Sequence, residues 1–410
     1  MIVFAREPIF DEKQRLFAYQ LVFRDGEEGA LPELLPELNE ETAEANTSVS
    51  IGLEELLSGF VSVISITRQT VLQGLPADFT PQDTVLEIPG IEASDIELIE
   101  AVKSLRQQGY RISIQNDRTL DTINFDLADY LKININHISR QTLSQLQQDI
   151  SAHDIATIAT NVQNPEQYQK CVDAGFHYFQ GYFFLSRQHK TQKELPANKL
   201  SLLSLLAQTS DANIDMDKIR STFEHDATLS YLLMRFINNP LINKSHKITS
   251  IKHALTYLGE LMLRKFAAIV SIAQLNQDNV QELLQVSLVR AKYCELIDAE
   301  LTDSQDAMSA FMAGLFSLID VILDRDMAEL LEQIPISASI NEALLEQTGP
   351  YYSILASVKS LESSSWLPFK KAAKDLNIEE EDLHKYYLEA VKWNNLLHQS
   401  QSNMFPQAKP

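Results

Sequence analysis

The stretch IELIEAVKSLRQQGYRISIQND, Ile96–Asp117, changes character at Gly109. Before it, Leu98, Val102 and Leu105 recur at helical spacing, and the glycine closes the helix. After it, Ile112 and Ile114 alternate as in a buried strand that carries two side-chain amides, Gln115 and Asn116, to its C-terminal end. A helix feeding straight into a strand is the repeating unit of a parallel α/β layer. The same alternation extends in both directions. IVFAREPIF, LFAYQLVF, FVSVISI and TVLEIP read as strands upstream. Downstream come DYLKINI, a helix around Arg140 to Ile150, DIATIATNV, a helix around Pro165 to Gly175, and YFQGYFF. About seven or eight strands in roughly 190 residues predict a (β/α) barrel rather than a doubly wound sheet.

The alternation stops in SRQHKTQKELPANK, Ser186–Lys199, which is polar, holds a proline and has no apolar period. Beyond it the segments read as helices, among them LSLLSLLAQT, ATLSYLLMRFINN, the long SIKHALTYLGELMLRKFAAIVSIAQL, NVQELLQVSLVRAKYCELIDAEL, DAMSAFMAGLFSLIDVIL as one helix, and a last one ending near His398. The predicted organisation is α/β plus all-α: a barrel over 1–190, a linker over 191–198, a helical domain over 199–400 and a frayed tail over 401–410. The stripe Leu255, Leu258, Leu261, Met262 and Phe266 reads as a core-facing helix face.

The 410 residues exceed one ordinary domain of about 150 residues. With 45 % hydrophobic and 22 % charged residues there is material for real cores. Lys and Arg number 34 against 56 Asp and Glu, a formal charge of −22, and that field repels phosphate backbones, so direct nucleic-acid binding is disfavoured. A local cluster of basic groups can still receive a small anion. No apolar run approaches the roughly 18 residues of a membrane span, and the start MIVFAREPIF lacks a basic region followed by an apolar one, so the expectation is a cytoplasmic protein without membrane insertion. Cys171 and Cys294 are too few for a disulfide framework and read as core thiols. His137, His153, His177 and His253 show no ligand spacing, and Trp366 and Trp393 read as packing anchors.

The ordered landmarks FAREPIF, AYQLVFR, VLEIP, GYRISIQND, DYLKININ, IATNVQN and above all GFHYFQGYFF, Gly175–Phe184, resemble EAL domains, the cyclic di-GMP phosphodiesterase fold. From about Lys199 onward the chain resembles HDOD domains, helical relatives of the HD hydrolases. The pair is similar to EAL-HDOD signalling proteins of the YuxH type.

The resemblance implies a barrel mouth where two divalent cations, held by acidic and amide oxygens, activate a water. Such hard cations depend on carboxylate charge. The matching positions here are mostly uncharged. The Glu of the Glu-Ala-Leu motif is Gln20, the metal-binding Asn of the next strand is Ser65, and the paired acids of the Asp-Asp motif are Gln115 and Asn116. The Asp after the strand lysine is Asn134, and the acid of the Lys-Val-Glu motif is Gln163. Glu87, Lys132 and Gln180 remain, with the substrate-side Arg24. Asp117 and Asp126 are nearby acids, but Asp117 falls where the family places a Phe. The five amides and Lys132 are expected to converge at one mouth of the barrel.

In the helical half, His225 and Asp226 spell HD, yet FEHDATLSYLLMRFIN makes Asp226 a helix N-cap. The family's His-Asp doublet follows a Gly-Leu-Leu stretch. Here that stretch is GLFSLID, Gly314–Asp320, with Ser317 and Leu318 at the ligand positions. The expectation is therefore a pseudoenzyme with no metal and no cofactor. As an adaptor it would bind other signalling proteins in a cyclic di-GMP-related pathway. The alternative is a metal-independent sensor that binds cyclic di-GMP through Arg24, Glu87, Lys132 and Gln180 without cutting it, and a residual hydrolase is the least supported reading. The resemblance also implies a homodimer.

Overall fold

The computed structural model describes residues 2–32, 59–73, 79–90, 94–116, 125–136, 153, 155–188, 195–210, 215–238, 247–277, 279–302, 307–334 and 336–401. The helix expected around Arg140 to Ile150 lies outside them, as do Asp117, His137 and the tail beyond Gln401. The chain divides into two units, 1–186 with 359–369 and 187–358 with 370–410.

The first unit is a closed barrel with strands in sequence order: β1 (Phe4–Asp11), β2 (Leu16–Phe23), β3 (Val61–Ser65), β4 (Thr84–Pro89), β5 (Arg111–Asn116), β6 (Tyr130–Asn134), β7 (Ala156–Thr160) and β8 (Tyr178–Gln180). Helices α1 (Arg68–Gln73), α2 (Ile96–Gln107) and α3 (Pro165–Asp173) follow β3, β4 and β7. Strands β2 to β8 run parallel, as the alternation predicts, but β1 is antiparallel to both its neighbours. The reason is the link to β2, four residues tied off by Asp11, whose Oδ1 accepts from the backbone N–H of Lys13 and of Arg15 at 2.9 Å. A connection that short closes a hairpin and cannot carry a crossover.

Side chains on a strand alternate faces, so the lumen can be followed in steps of two. Ile9, Ala18, Val63, Val85, Tyr130 and Ile158 form its buried apolar floor. One step toward the C-terminal ends of the parallel strands puts Gln20, Ser65, Glu87, Lys132 and Thr160 above that floor. In the reversed β1 the same step runs backward, to Glu7. Gly181 holds the turn after β8 at φ 139°, where a Cβ would meet the Val162 carbonyl oxygen at 2.2 Å. Only glycine lets the chain pass there directly after Gln180.

The second unit is helical: α4 (Ala197–Ser210), α5 (Met216–His225), α6 (Ala227–Ile237), α7 (Ile251–Leu275), α8 (Gln281–Leu301), α9 (Ala307–Phe316), α10 (Ile319–Leu323), α11 (Met327–Leu331) and α12 (Ala338–Asn341). After a π turn come α13 (Gly349–Glu362) and α14 (Trp366–Leu376), each of which spans a boundary between the units, and α15 (Glu380–Gln401). Phe223, Phe236 and Phe266 anchor its core, with Phe236 and Phe266 ring centroids 4.5 Å apart, and Trp393 packs against that core. Cys171 and Cys294 are both buried free thiols.

Two helices differ from the sequence pattern. The stripe on α7 is buried at Leu255 and Phe266, but Leu261 is 46 % and Met262 40 % exposed. Gly259 at φ 67° and ψ 176° breaks the helix between the two halves of the stripe and turns those side chains to solvent. The single helix expected over DAMSAFMAGLFSLIDVIL splits into α9 and α10 at Ser317 and Leu318, where Leu318 leaves helical geometry.

Candidate functional site

At the barrel mouth a buried ammonium bridges three strands. The Nζ of Lys132 on β6 donates to Glu87 Oε2 on β4 at 2.6 Å and to Gln20 Oε1 on β2. The amide nitrogen of Gln20 in turn donates to Ser65 Oγ on β3 at 3.0 Å. Lys132, Glu87 and Gln20 are all buried. These four side chains meet because each is the first lumen-facing position above the apolar floor of its strand. A desolvated ion pair holds only if the remaining polar atoms also find partners, and the Gln20 amide supplies one.

Sequence reasoning missed Glu7. It stands before Pro8 and Ile9, where a QPI-type strand has its glutamine, and it faces Gln20 in the β1–β2 register. Relative to the implied pattern the acid and the amide have exchanged places across one strand pair. The Nε2 of Gln180 on β8 donates to Glu7 Oε2 at 2.6 Å. Burial, the largest cause, and the Glu87 carboxylate push the Glu7 carboxyl above the usual range, while the Gln180 hydrogen bond and the Lys132 ammonium oppose them. The signal in the sequence was the four-residue link after β1, which reverses the strand and carries position 7 to the mouth.

Of the other positions singled out in the sequence, Asn134, Gln163 and Arg24 bond to groups outside this network. Gln115 is the register neighbour of Lys132, with an exposed side chain. Asn116 ends β5, and its side chain lies outside the described residues. Asn134 ends β6 and accepts from the backbone N–H of Asn136 at 3.0 Å, stabilising a turn. Gln163 is exposed and donates to Asn161 Oδ1 at 2.9 Å. Arg24, just past β2, pairs with Asp25 through two hydrogen bonds of 3.0 Å. Asp126 sits on a short 3-10 turn with an exposed side chain, 3.8 Å from His153.

In the helical unit Asp226 is the N-cap of α6, accepting from the backbone N–H of Thr228 at 2.8 Å and of Leu229 at 2.9 Å. That accounts for the HD doublet without a metal. Ser317 and Leu318 are both buried, and the buried guanidinium of Arg290 on α8 donates to Ser317 Oγ at 3.2 Å. Gly314 lets α9 approach α8 there, since a Cβ would meet the Arg290 carbonyl oxygen at 2.4 Å. Among the described residues no group of three or more His, Cys, Asp or Glu is placed to hold a metal ion, and no helix is long and apolar enough to cross a membrane.

Residues 195–348 match the HDOD domain family. The chain is 29 % identical over 404 residues to the uncharacterized protein YuxH of Bacillus subtilis, covering 96 % of this chain and 98 % of that one. It is 26 % identical over 399 residues to the cyclic di-GMP phosphodiesterase CdgJ of Vibrio cholerae, covering 95 % and 91 %. Among solved structures, the EAL enzyme Bd1971 with cAMP and cyclic di-GMP aligns at 17 % identity and TM-score 0.34 over 44 % of this chain and 61 % of its own. BlrP1 of Klebsiella pneumoniae, in a calcium and cyclic di-GMP complex, aligns at 17 % identity and TM-score 0.35 over 45 % and 55 %.

Proposed function

We propose, for a chain that carries an HDOD domain behind an EAL-like barrel, a non-catalytic signalling protein that acts in a cyclic di-GMP-related pathway through the proteins it binds. The observation that carries this reading is the Gln20 amide, which stands where the resemblance implies an acid, accepts from the Lys132 ammonium through Oε1 and donates through Nε2 to Ser65 Oγ at 3.0 Å.

The two divalent cations that an EAL-type mouth implies do not fit these residues. A hard cation needs anionic oxygens directed at it, and here the oxygens of Gln20 and Glu87 are directed at a fixed cation. Glu7 and Glu87 are the carboxylates of the described mouth. Against one ammonium they leave a single negative charge, far from the four positive charges of two divalent ions. Ser65, where the implied pattern has an amide ligand, is spent on the Gln20 amide. Without a metal-lowered pKa, water is a poor nucleophile at neutral pH.

CdgJ is named a phosphodiesterase, and its similarity over most of the chain supports the pathway. The reading of this chain as inactive rests on its own mouth residues. Binding of cyclic di-GMP without cleavage is the weaker reading, because Arg24 is paired with Asp25, Lys132 with Glu87, and Gln180 with Glu7. Titration of the full chain with cyclic di-GMP by calorimetry, with and without Mn²⁺, combined with chromatography for the linear dinucleotide, separates these readings. The adaptor gives neither heat nor product. Heat alone supports the sensor, and product overturns the non-catalytic reading.

A further inference from the structure

We infer that the barrel mouth takes one singly charged, N–H-bearing head group, an alkylguanidinium or alkylammonium, between Glu7 and Gln180. The inference deepens the adaptor reading and rests on Lys132 staying committed to Glu87.

Charge is the first ground. Lys132 satisfies Glu87 and Gln20, so the surplus negative charge of the mouth falls on Glu7, which has no ion-pair partner among the described residues. The hydrogen bond it receives comes from a neutral amide. Glu7 is half-buried, so the residue is not sealed from solvent.

Hydrogen bonding is the second and independent ground. Gln180 is more than nine-tenths buried, and its Oε1 has no hydrogen-bond partner. Rotating the amide does not resolve this. It turns Oε1 toward the Glu7 carboxylate, oxygen against oxygen, and leaves the N–H group unpartnered instead. What satisfies both groups is a donor with a positive charge, whose separate N–H groups reach the carboxylate and the amide oxygen together. A neutral water meets the amide oxygen and leaves the charge, whereas a divalent cation overshoots the charge and finds one carboxylate and one amide for ligands.

A guanidinium or ammonium reaches such a mouth on a partner's arginine or lysine side chain or as a free polyamine. The test uses the full-length protein and ligand-observed NMR with ethylguanidinium, and with tetramethylammonium as a cation that has no N–H. Wild type should bind ethylguanidinium and not tetramethylammonium. Glu7→Gln, near in shape, should weaken that binding by about tenfold or more. Gln180→Leu, which keeps the Glu7 charge, should weaken it less. Nα-acetylarginine amide and spermidine as separate arms name the source by which of them binds tighter. Equal binding of ethylguanidinium by wild type and Glu7→Gln, equal binding of the two cations, absence of binding, or displacement by stoichiometric Mn²⁺ each overturns the inference. Because no nucleotide enters this experiment, hydrolysis of cyclic di-GMP would sink the non-catalytic reading without deciding this one.

Discussion

Removing the Lys132 head group while leaving Glu87 in place strands a carboxylate in the barrel with no compensating charge. Lys132→Met should therefore destabilise the protein by about 3–5 kcal/mol in denaturant unfolding, whereas Lys132→Met combined with Glu87→Gln should recover much of the loss. A single and a double variant of equal stability would mean that the pair is not the unit described. Glu7 sets a pH dependence of the opposite kind to a salt-bridged acid. Burial lifts its folded-state pKa above the ordinary carboxylate value, so the folded protein holds the proton more tightly than the unfolded chain. Stability must then fall as pH rises from about that value through the raised one, and the deficit persists above it. Glu7→Gln should remove this slope, read as the difference between the two proteins' unfolding free energies from pH 4 to 8. Gln20, Glu87 and Lys132 were legible in the sequence because each falls in a strand-like stretch, AYQLVFR, VLEIP or DYLKININ, that matches a motif of the resemblance. Glu7 was not, because its place at the mouth depends on the direction of β1, and direction is a property of the link rather than of the strand.

The barrel strands were readable from their short β-branched runs and the glycines that close the preceding helices, as at Gly109. Helix breaks were harder to see. Around Gly259 the apolar spacing continues across the break, so period alone hides the turn that exposes Leu261 and Met262. At Ser317 the α9–α10 split follows from packing against α8, which no local pattern encodes. Two substitutions test these readings of the elements. Asp226→Ala removes two hydrogen bonds from the first turn of α6 and should cost about 1 kcal/mol, with no change in metal content. Gly314→Ala places a methyl group 2.4 Å from the Arg290 carbonyl oxygen and should cost about 1–3 kcal/mol by forcing α8 and α9 apart. A neutral Gly314→Ala in thermal unfolding would contradict the close approach.

In both units a buried basic side chain bonds to a residue at a position where the resemblance implies a metal ligand. In the barrel a lysine ammonium and in the helical unit an arginine guanidinium sit buried beside the positions where the resemblance implies metal ligands, Lys132 at Gln20 and Arg290 at Ser317. Each cation is covalently part of the chain, so neither can be removed by a chelator. On the non-catalytic reading proposed above, EDTA should leave the melting temperature unchanged. The chain's charge of −22 offers many weak surface sites for cations, which salt screens. The central claim is thus tested most directly by electron paramagnetic resonance of Mn²⁺ added to the full chain with cyclic di-GMP at about 0.15 M salt, where the signal of free Mn²⁺ counts what is not bound. With amides at Gln20, Gln115, Asn116, Asn134 and Gln163, the signal should match that of a protein-free control through the first two equivalents. Loss of signal that saturates at two Mn²⁺ per chain would contradict it.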